Sequence, residues 1–223
     1  MLVAGIVGGN EKSKTANLIS SIFSAAGKKV SIIDSKNLIE MKTNQVKGYI
    51  SELEKNNIDI LILKINFTEI CKPSLDYLHF DIMIYNDKAD DIRDLDLEKN
   101  SIFNERAYSL LNEKGIVIVN VDDADLIKML QGMRYYTVTY GFNSKASITT
   151  SSVGDIVDKD NFMCCLQRSI TTKNGLVIEP QEYKLKIESV GLDTYNVLAA
   201  ATFAIVNDIN LNDIELLSLH YSQ

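Results

Sequence analysis

The chain has no tryptophan, two prolines, two histidines and three cysteines in 223 residues, and each shortage closes off a class of explanation. With so few prolines, no long proline-stiffened linker separates folding units. Three cysteines, with Cys164 and Cys165 adjacent, do not form a disulfide framework. They read instead as small buried hydrophobes in a reducing compartment. His79 and His220 are too few and too far apart in sequence to suggest a metal site. No long basic run is present and the formal net charge is −7, which argues against nucleic acid as a partner, because phosphate contacts need clustered Lys and Arg. Apolar runs fall short of the ~20 residues a membrane helix needs. The N-terminus shows neither a basic leader nor a cleavage site. A soluble, cytoplasmic protein with no membrane partner is expected, without internal repeats or low-complexity segments.

What is present is apolar material arranged in alternating periods. Apolar residues make up 46% of the chain, enough for one sizeable core. Leu2–Val7 reads as a buried strand. A helix over Ser13–Ala26 follows, with Leu18, Ile19, Ile22, Phe23 and Ala26 at helical spacing and Gly27 as its stop. Val30–Ile33 is a short strand ending in Asp34, and the segment from about Asn44 to Asn56 is helical. Ile58–Ile65 and Phe80–Tyr85 are almost wholly apolar, as strands buried on both faces of a parallel sheet are. A helix at Ser101–Asn112 is expected to end at Gly115. Strand Ile116–Asn120, helix Asp123–Gln131 and strand Tyr135–Tyr140 follow. The alternation then gives way to the strand candidates Ile148–Ser152, Phe162–Thr171 and Leu176–Ile187. Lys173-Asn174-Gly175 is a hairpin turn signal between the last two, and Phe162–Arg168 is also compatible with helix. An alanine-rich helix over Thr194–Asn207 and a last helix near Asn212–His220 close the chain. The fold class this predicts is α/β. It comprises a mostly parallel, doubly wound sheet of the P-loop type, helices on both faces and a small antiparallel extension late in one domain.

Between the first strand and first helix lie Gly8, Gly9, Asn10, Glu11, Lys12 and Ser13. Strand, glycine turn, Lys-Ser, helix is the order of a phosphate-binding loop. Backbone N–H groups and a helix N-terminus face the anion there, and the lysine adds charge. Glu11 stands where the usual pattern has glycine. It places a carboxylate near the phosphates, unless it points into solvent, where the cost is small. The bland reading is an ordinary exposed helix start.

Four separated stretches resemble the Mur ligases, ATP-dependent enzymes that add amino acids to peptidoglycan precursors. The loop GIVGGNEKSKT is similar to that family's G-x-T-G-T-N-G-K-T-T. Val119–Asp123 resembles its N-A-D-D stretch, and Thr139-Tyr140-Gly141 resembles its T-Y/F-G turn. Gly191–Ala201 is similar to its G-x-F-N-x-Y-N-x-L-A-A-x-A helix start and is the most specific of the four. The resemblance covers nearly the whole chain but only the family's central ATP-binding domain. An N-terminal UDP-binding domain and a C-terminal ligase domain are expected to be absent. The resemblance implies ATP or ADP as ligand, held by Gly8, Gly9, Asn10, Lys12 and Ser13, with Asn196 on the adenine side. It also implies Mg²⁺, with Ser13 as one contact.

Other positions depart from what the resemblance implies. Lys64 stands where a magnesium-binding glutamate is expected. Ile92 replaces a metal-binding histidine after the matching Asp91. Arg106 stands at the place of a carbamylated lysine, and a guanidinium is not carbamylated in that way. These replacements imply loss of two-metal ligase chemistry, with no residue assigned a catalytic role. The expected function is therefore a Mur-ligase-like nucleotide-binding domain without ligase turnover. It would be a partner or regulator beside a cell-wall ligase or another protein in precursor synthesis.

Three alternatives stand beside this. One is an active carboxylate–amine ligase or ATPase in which Lys64 and Arg106 replace one metal's charge. Another is an interaction module that no longer binds nucleotide. The third is a partition-type ATPase, against which stands Val7, where that group carries a lysine. Asp122-Asp123 reads first as a helix N-cap rather than a catalytic pair, Asn196 is also readable as a cap or bond within its own helix, and the acidic clusters Asp90-Asp91 and Asp94–Glu98 read as solvated surface.

Overall fold

The computed structural model describes residues 1–86, 97–132, 134–151, 162–187 and 193–214. Its centre is a nine-stranded sheet. In chain order the elements are β1 (Leu2–Val7), α1 (Lys12–Ala25), β2 (Val30–Asp34), α2 (Ser35–Ile39), α3 (Thr43–Lys55), β3 (Ile60–Ile65), β4 (Phe80–Tyr85), α4 (Leu97–Leu110), β5 (Leu111–Asn120), α5 (Ala124–Met129), β6 (Tyr136–Tyr140), β7 (Ile148–Thr150), β8 (Phe162–Leu166), β9 (Ile170–Thr171), β10 (Val177–Ile178), β11 (Gln181–Leu185) and α6 (Thr194–Val206). Across the sheet they lie β2-β3-β1-β4-β5-β6-β7-β8-β11. Every pairing from β2 to β7 is parallel, and β7-β8 and β8-β11 are antiparallel. The α/β class and the late antiparallel extension are as expected; β9 and β10 form a separate two-stranded sheet.

The strands are buried on both faces because successive side chains point to opposite sides. Ala4 and Ile6 of β1, with Ile62 of β3, Ile84 of β4 and Ile118 of β5, join α1 and α6 in one core. Val7, Leu63, Ile65, Met83, Tyr85 and Val119 join α3, α4 and α5 in the other. Continuous apolar runs satisfy both cores at once, which is why these strands do not alternate with polar residues. Helix α1 buries Leu18, Ile19, Ile22 and Phe23 and stops at Gly27. There φ is +76° and the Lys28 and Gly27 amides close back on Phe23 and Ser24 carbonyls.

Several expectations need correction. Helix α2 was not anticipated. Five residues are too few to show a period, and its one local signal is Asp34, whose side chain accepts from the Lys36 amide. Gly115 does not end a helix. Strand β5 begins directly after α4, and Gly115 lies inside it, where the register against β4 shifts between Phe80 and Ile82. A Cβ there would stand 2.7 Å from a Leu111 methyl and 2.8 Å from the Asn112 carbonyl, so the close turn-in requires glycine. The candidate Phe162–Thr171 divides into β8 and β9, and Leu176–Ile187 into β10 and β11. Phe162–Leu166 is strand, settling the helix alternative. The predicted turn does join β9 to β10, with Gly175 at φ +84°. Late in the chain Leu211–Asp213 is a 3-10 turn and Ile214 is extended rather than helical; residues 215–220 of the expected Asn212–His220 helix lie outside the described residues. The cysteines are free, as expected, but only Cys164 is fully buried; Cys71 is exposed.

Candidate functional site

In a parallel sheet all carboxyl ends face one edge, and a crevice opens there where neighbouring connections run in opposite directions. Here that point is β1. The chain leaves β1 towards β2 on one side, and β4 lies on the other. The loop after β1 carries Gly8, Gly9, Asn10 and Glu11 into α1. It is pinned by the Gly8 amide on the Ile65 carbonyl (3.2 Å) and by the Asn86 amide on the Val7 carbonyl (3.0 Å). Glu11 is the N-cap residue but makes no side-chain cap, so the first α1 amides keep no carboxylate partner from their own cap.

Lys12 and Ser13 open α1 and point toward β3. The Lys12 ammonium donates to the Gly9 carbonyl (2.6 Å) and to Asn66 Oδ1 (2.7 Å). Asn66 is held in turn by Glu69, which accepts from its side-chain amide (3.0 Å), from its backbone N–H (2.9 Å) and from the buried Ser35 hydroxyl. Ser13 Oγ accepts a hydrogen bond from Lys64 Nζ at 3.3 Å, and the same ammonium lies 3.8 Å from Asp34 Oδ2. Residues from the ends of β2 and β3 thus converge on the start of α1.

Glu11 does not point away into solvent. Its Oε2 accepts from Asn196 Nδ2 at 2.7 Å, and its Oε1 lies 3.0 Å from Lys14 Nζ. Burial pushes its carboxyl pKa up, but the hydrogen bonds and the charge of Lys14 outweigh that and hold it below the usual value. Asn196 is 1% exposed. Its Oδ1 lies 2.9 Å from the Thr15 hydroxyl, which is also 2.9 Å from Asn86 Oδ1, and the Tyr140 hydroxyl donates to the Asn86 carbonyl at 3.3 Å. Asn196 therefore joins the loop to α6, β4 and β6 from inside the protein.

The remaining two motifs meet one another. Asp122 accepts from the Phe142 and Asn143 amides (2.5 and 3.0 Å) and from the Tyr195 hydroxyl (3.2 Å). Burial, and then the Asp122 charge, push the Tyr195 phenol up to about 12. Gly141 is at φ +148°, and a Cβ there would lie 2.5 Å from Asp122 Oδ2, so this turn closes only on glycine. The Phe142 ring stands edge-on to Tyr195 at 5.1 Å. Asp123 has the bland role: it caps α5 through the Leu126 amide.

Magnesium does not fit the donor set around Ser13. Mg²⁺ takes oxygen ligands in octahedral geometry. The hydroxyl that would be its protein ligand receives a hydrogen bond from an ammonium, which places a positive charge beside that oxygen. A divalent cation ~4 Å from that ammonium would be repelled by about 8 kcal/mol at an effective dielectric of ~20, before screening and before the opposing attraction of the Asp34 carboxylate paired with it. Among the described residues no group of three or more His, Cys, Asp or Glu side chains could hold a metal ion.

Arg106 is not in this cluster. It donates to the Ile70 and Lys72 carbonyls (3.2 and 3.3 Å) and to Ser109 Oγ (3.2 Å), and pairs with Asp76, thereby fastening the segment after β3. It therefore does not join Lys64 in supplying charge at the loop. Ile92 lies outside the described residues. Asp34, Asn66, Glu69, Thr15 and Asn86 were missed from sequence. For Asp34, Asn66 and Asn86 the one readable signal is that polar residues sit where apolar strands end, on the carboxyl edge; Thr15, inside α1, and Glu69, in a 3-10 turn, carry no such signal.

The chain aligns over 170 residues, at 22% identity, with a UDP-N-acetylmuramoyl-L-alanyl-D-glutamate–2,6-diaminopimelate ligase of Chlamydia abortus, covering 69% of this chain and 34% of that one. A solved ligase of the same name superposes with a TM-score of 0.67 at 16% identity, over 96% of this chain and 45% of the other. The MurF ligase of Thermotoga maritima, solved in complex with ADP, superposes with a TM-score of 0.55 at 14% identity, over 99% of this chain and 48% of the other. The chain thus spans about a third of the curated relative and under half of each solved structure. Residues 6–204 match the Mur ligase middle domain, and the chain belongs to that family.

Proposed function

We propose that the chain binds ATP or ADP through Gly8, Gly9, Asn10, Lys12 and Ser13 and performs no ligase turnover itself. It would serve as a partner or regulator of a ligase in cell-wall precursor synthesis. The observation that carries this is the pair of ammonium groups, Lys12 and Lys64, that converge on the loop from α1 and β3. A glycine turn, a helix N-terminus, a hydroxyl and these ammonium groups make a phosphate site. The same Lys64 stands against the magnesium that ligase chemistry in this family uses, so phosphate binding and phosphoryl transfer separate here.

Calorimetric titration with ATP and ADP tests binding, with Lys12→Ala as control. Heat and a thermal shift in the native chain, lost in Lys12→Ala, are expected. Neither signal at millimolar nucleotide would remove the proposal and leave the interaction-module reading. That second reading has its own observation: Glu11 is latched to Asn196 across the end of the loop. For turnover, phosphate release with ATP, Mg²⁺ and candidate acceptors is expected to stay at the Lys12→Ala level. Acceptor-dependent release abolished by Lys12→Ala would instead establish an active ligase.

A further inference from the structure

We propose that this site takes its nucleotide as the metal-free phosphate anion, with the Lys64 ammonium supplying the positive charge beside Ser13. The inference rests on the nucleotide reading above and deepens it.

Lys64 is placed by the sheet, not by a flexible loop. It lies in β3, in register with Ile6 of β1 on one side and Asp34 of β2 on the other. Its side chain therefore rises beside the strand that carries the phosphate loop. Asp34 pairs with it at 3.8 Å through Oδ2, while Oδ1 of the same carboxylate caps α2 at the Lys36 amide. The capping bond holds the carboxylate, and the carboxylate holds the ammonium toward Ser13.

The consequence at Ser13 is chemical. Its oxygen accepts from Lys64 on one of its two lone pairs, and its own O–H can donate to a phosphate oxygen. In a phosphate loop that binds a metal–nucleotide complex, this oxygen is a metal ligand and needs a lone pair for the cation. Here it is a donor next to a donor. Lys12 adds a second ammonium, with bonds to the Gly9 carbonyl and Asn66 Oδ1. A bare diphosphate or triphosphate meets hydrogen-bond donors and positive charge at each of these positions. A magnesium complex of the same nucleotide brings two further positive charges against the Lys64 ammonium that already bonds this hydroxyl. The ligand class that matches is thus a nucleoside diphosphate or triphosphate free of divalent metal.

The test is titration calorimetry of the chain with ADP in EDTA and in millimolar MgCl₂, on the native protein, Lys64→Met and Lys64→Glu. Circular dichroism melts confirm that each variant is folded. The native chain is expected to bind ADP at least as tightly in EDTA as in MgCl₂. Lys64→Met, which keeps the stem without the charge, is expected to weaken binding in EDTA by about tenfold or more. Lys64→Glu is expected to bind ADP only when Mg²⁺ is present. Tighter binding by the native chain in MgCl₂ than in EDTA overturns the inference while the nucleotide reading stands. An unchanged affinity of Lys64→Met in EDTA also overturns it. Absence of binding by the native chain in both buffers removes the nucleotide reading itself, and this inference with it.

Discussion

Glu11 opposes the two lysines beside it. Its carboxylate sits at the end of the loop, tied to Asn196 and Lys14. Two unit charges ~5 Å apart at an effective dielectric of ~20 repel by about 3 kcal/mol. Lys14 and the one-third exposure of the Glu11 side chain reduce that toward a single kcal/mol. Glu11→Gln keeps a carbonyl oxygen for Asn196 and removes the charge. It is expected to raise ADP affinity about tenfold at low ionic strength, with the gain shrinking as salt is added, read by calorimetry. The pH dependence has a definite sign. A carboxyl whose folded value is depressed contributes stability that is fully present above its ordinary value of 4.5 and is lost as pH falls through the folded value. The stability difference between the native chain and Glu11→Gln is therefore expected to be constant from about pH 8 to about pH 5 and to shrink below that, measured by denaturant melts. A difference that varied near neutrality would mean that Glu11 is not the depressed group.

Among the elements, α6 links the site to the core. Eleven of its thirteen residues are buried, so it is apolar all round rather than amphipathic. Asn196 in its first turn reaches the loop, and Phe203 two turns on meets Phe23 of α1 at 5.3 Å between ring centres. The run of small residues Ala199, Ala200 and Ala201 lets α6 lie close to the sheet, and α1 packs beside it. Phe203→Ala would leave an aromatic-sized cavity between α1 and α6. It is expected to destabilise the protein by about 3–5 kcal/mol, read from equilibrium unfolding. A loss under ~1 kcal/mol would show that the helices collapse into the space. Elements of this kind were legible from sequence, because long apolar runs and helical spacing are set by burial. What was not legible follows from geometry that no local pattern encodes. Helix α2 has too few residues for a period, and the Gly115 bulge depends on how β5 meets β4. In the site, the loop and Lys64 could be read as positions. That Lys64 reaches Ser13, that Glu11 turns inward to Asn196, and that Arg106 serves the segment after β3 are contacts between residues 30 to 185 apart in sequence.

At the scale of the whole molecule, the sheet carries both the site and the stability. Seven parallel strands bring their carboxyl ends to one edge, and the polar residues gather there while the faces stay apolar. Each central strand serves both cores. Ile6 packs on one face and Val7 on the other, and the same holds for Ile84 and Tyr85, and for Ile118 and Val119. Neither face can lose its strands without stripping the other, so residues 1–223 are proposed to unfold as one cooperative domain. The absence of tryptophan makes this measurable face by face, since tyrosine is then the principal fluorophore. Tyr140 is fully buried in one core and Tyr85 in the other. The chain has ten tyrosines, so the signal of Tyr85→Phe or Tyr140→Phe, subtracted from that of the native chain, reports the one buried tyrosine removed from each face. Each variant should show one thermal transition, with the fluorescence midpoint equal to its far-ultraviolet circular dichroism midpoint. The two variants' own midpoints can differ, since Tyr140 also loses its bond to the Asn86 carbonyl. Within either variant, a fluorescence midpoint separated from the circular dichroism midpoint would mean that the two cores open independently and that the sheet does not couple them.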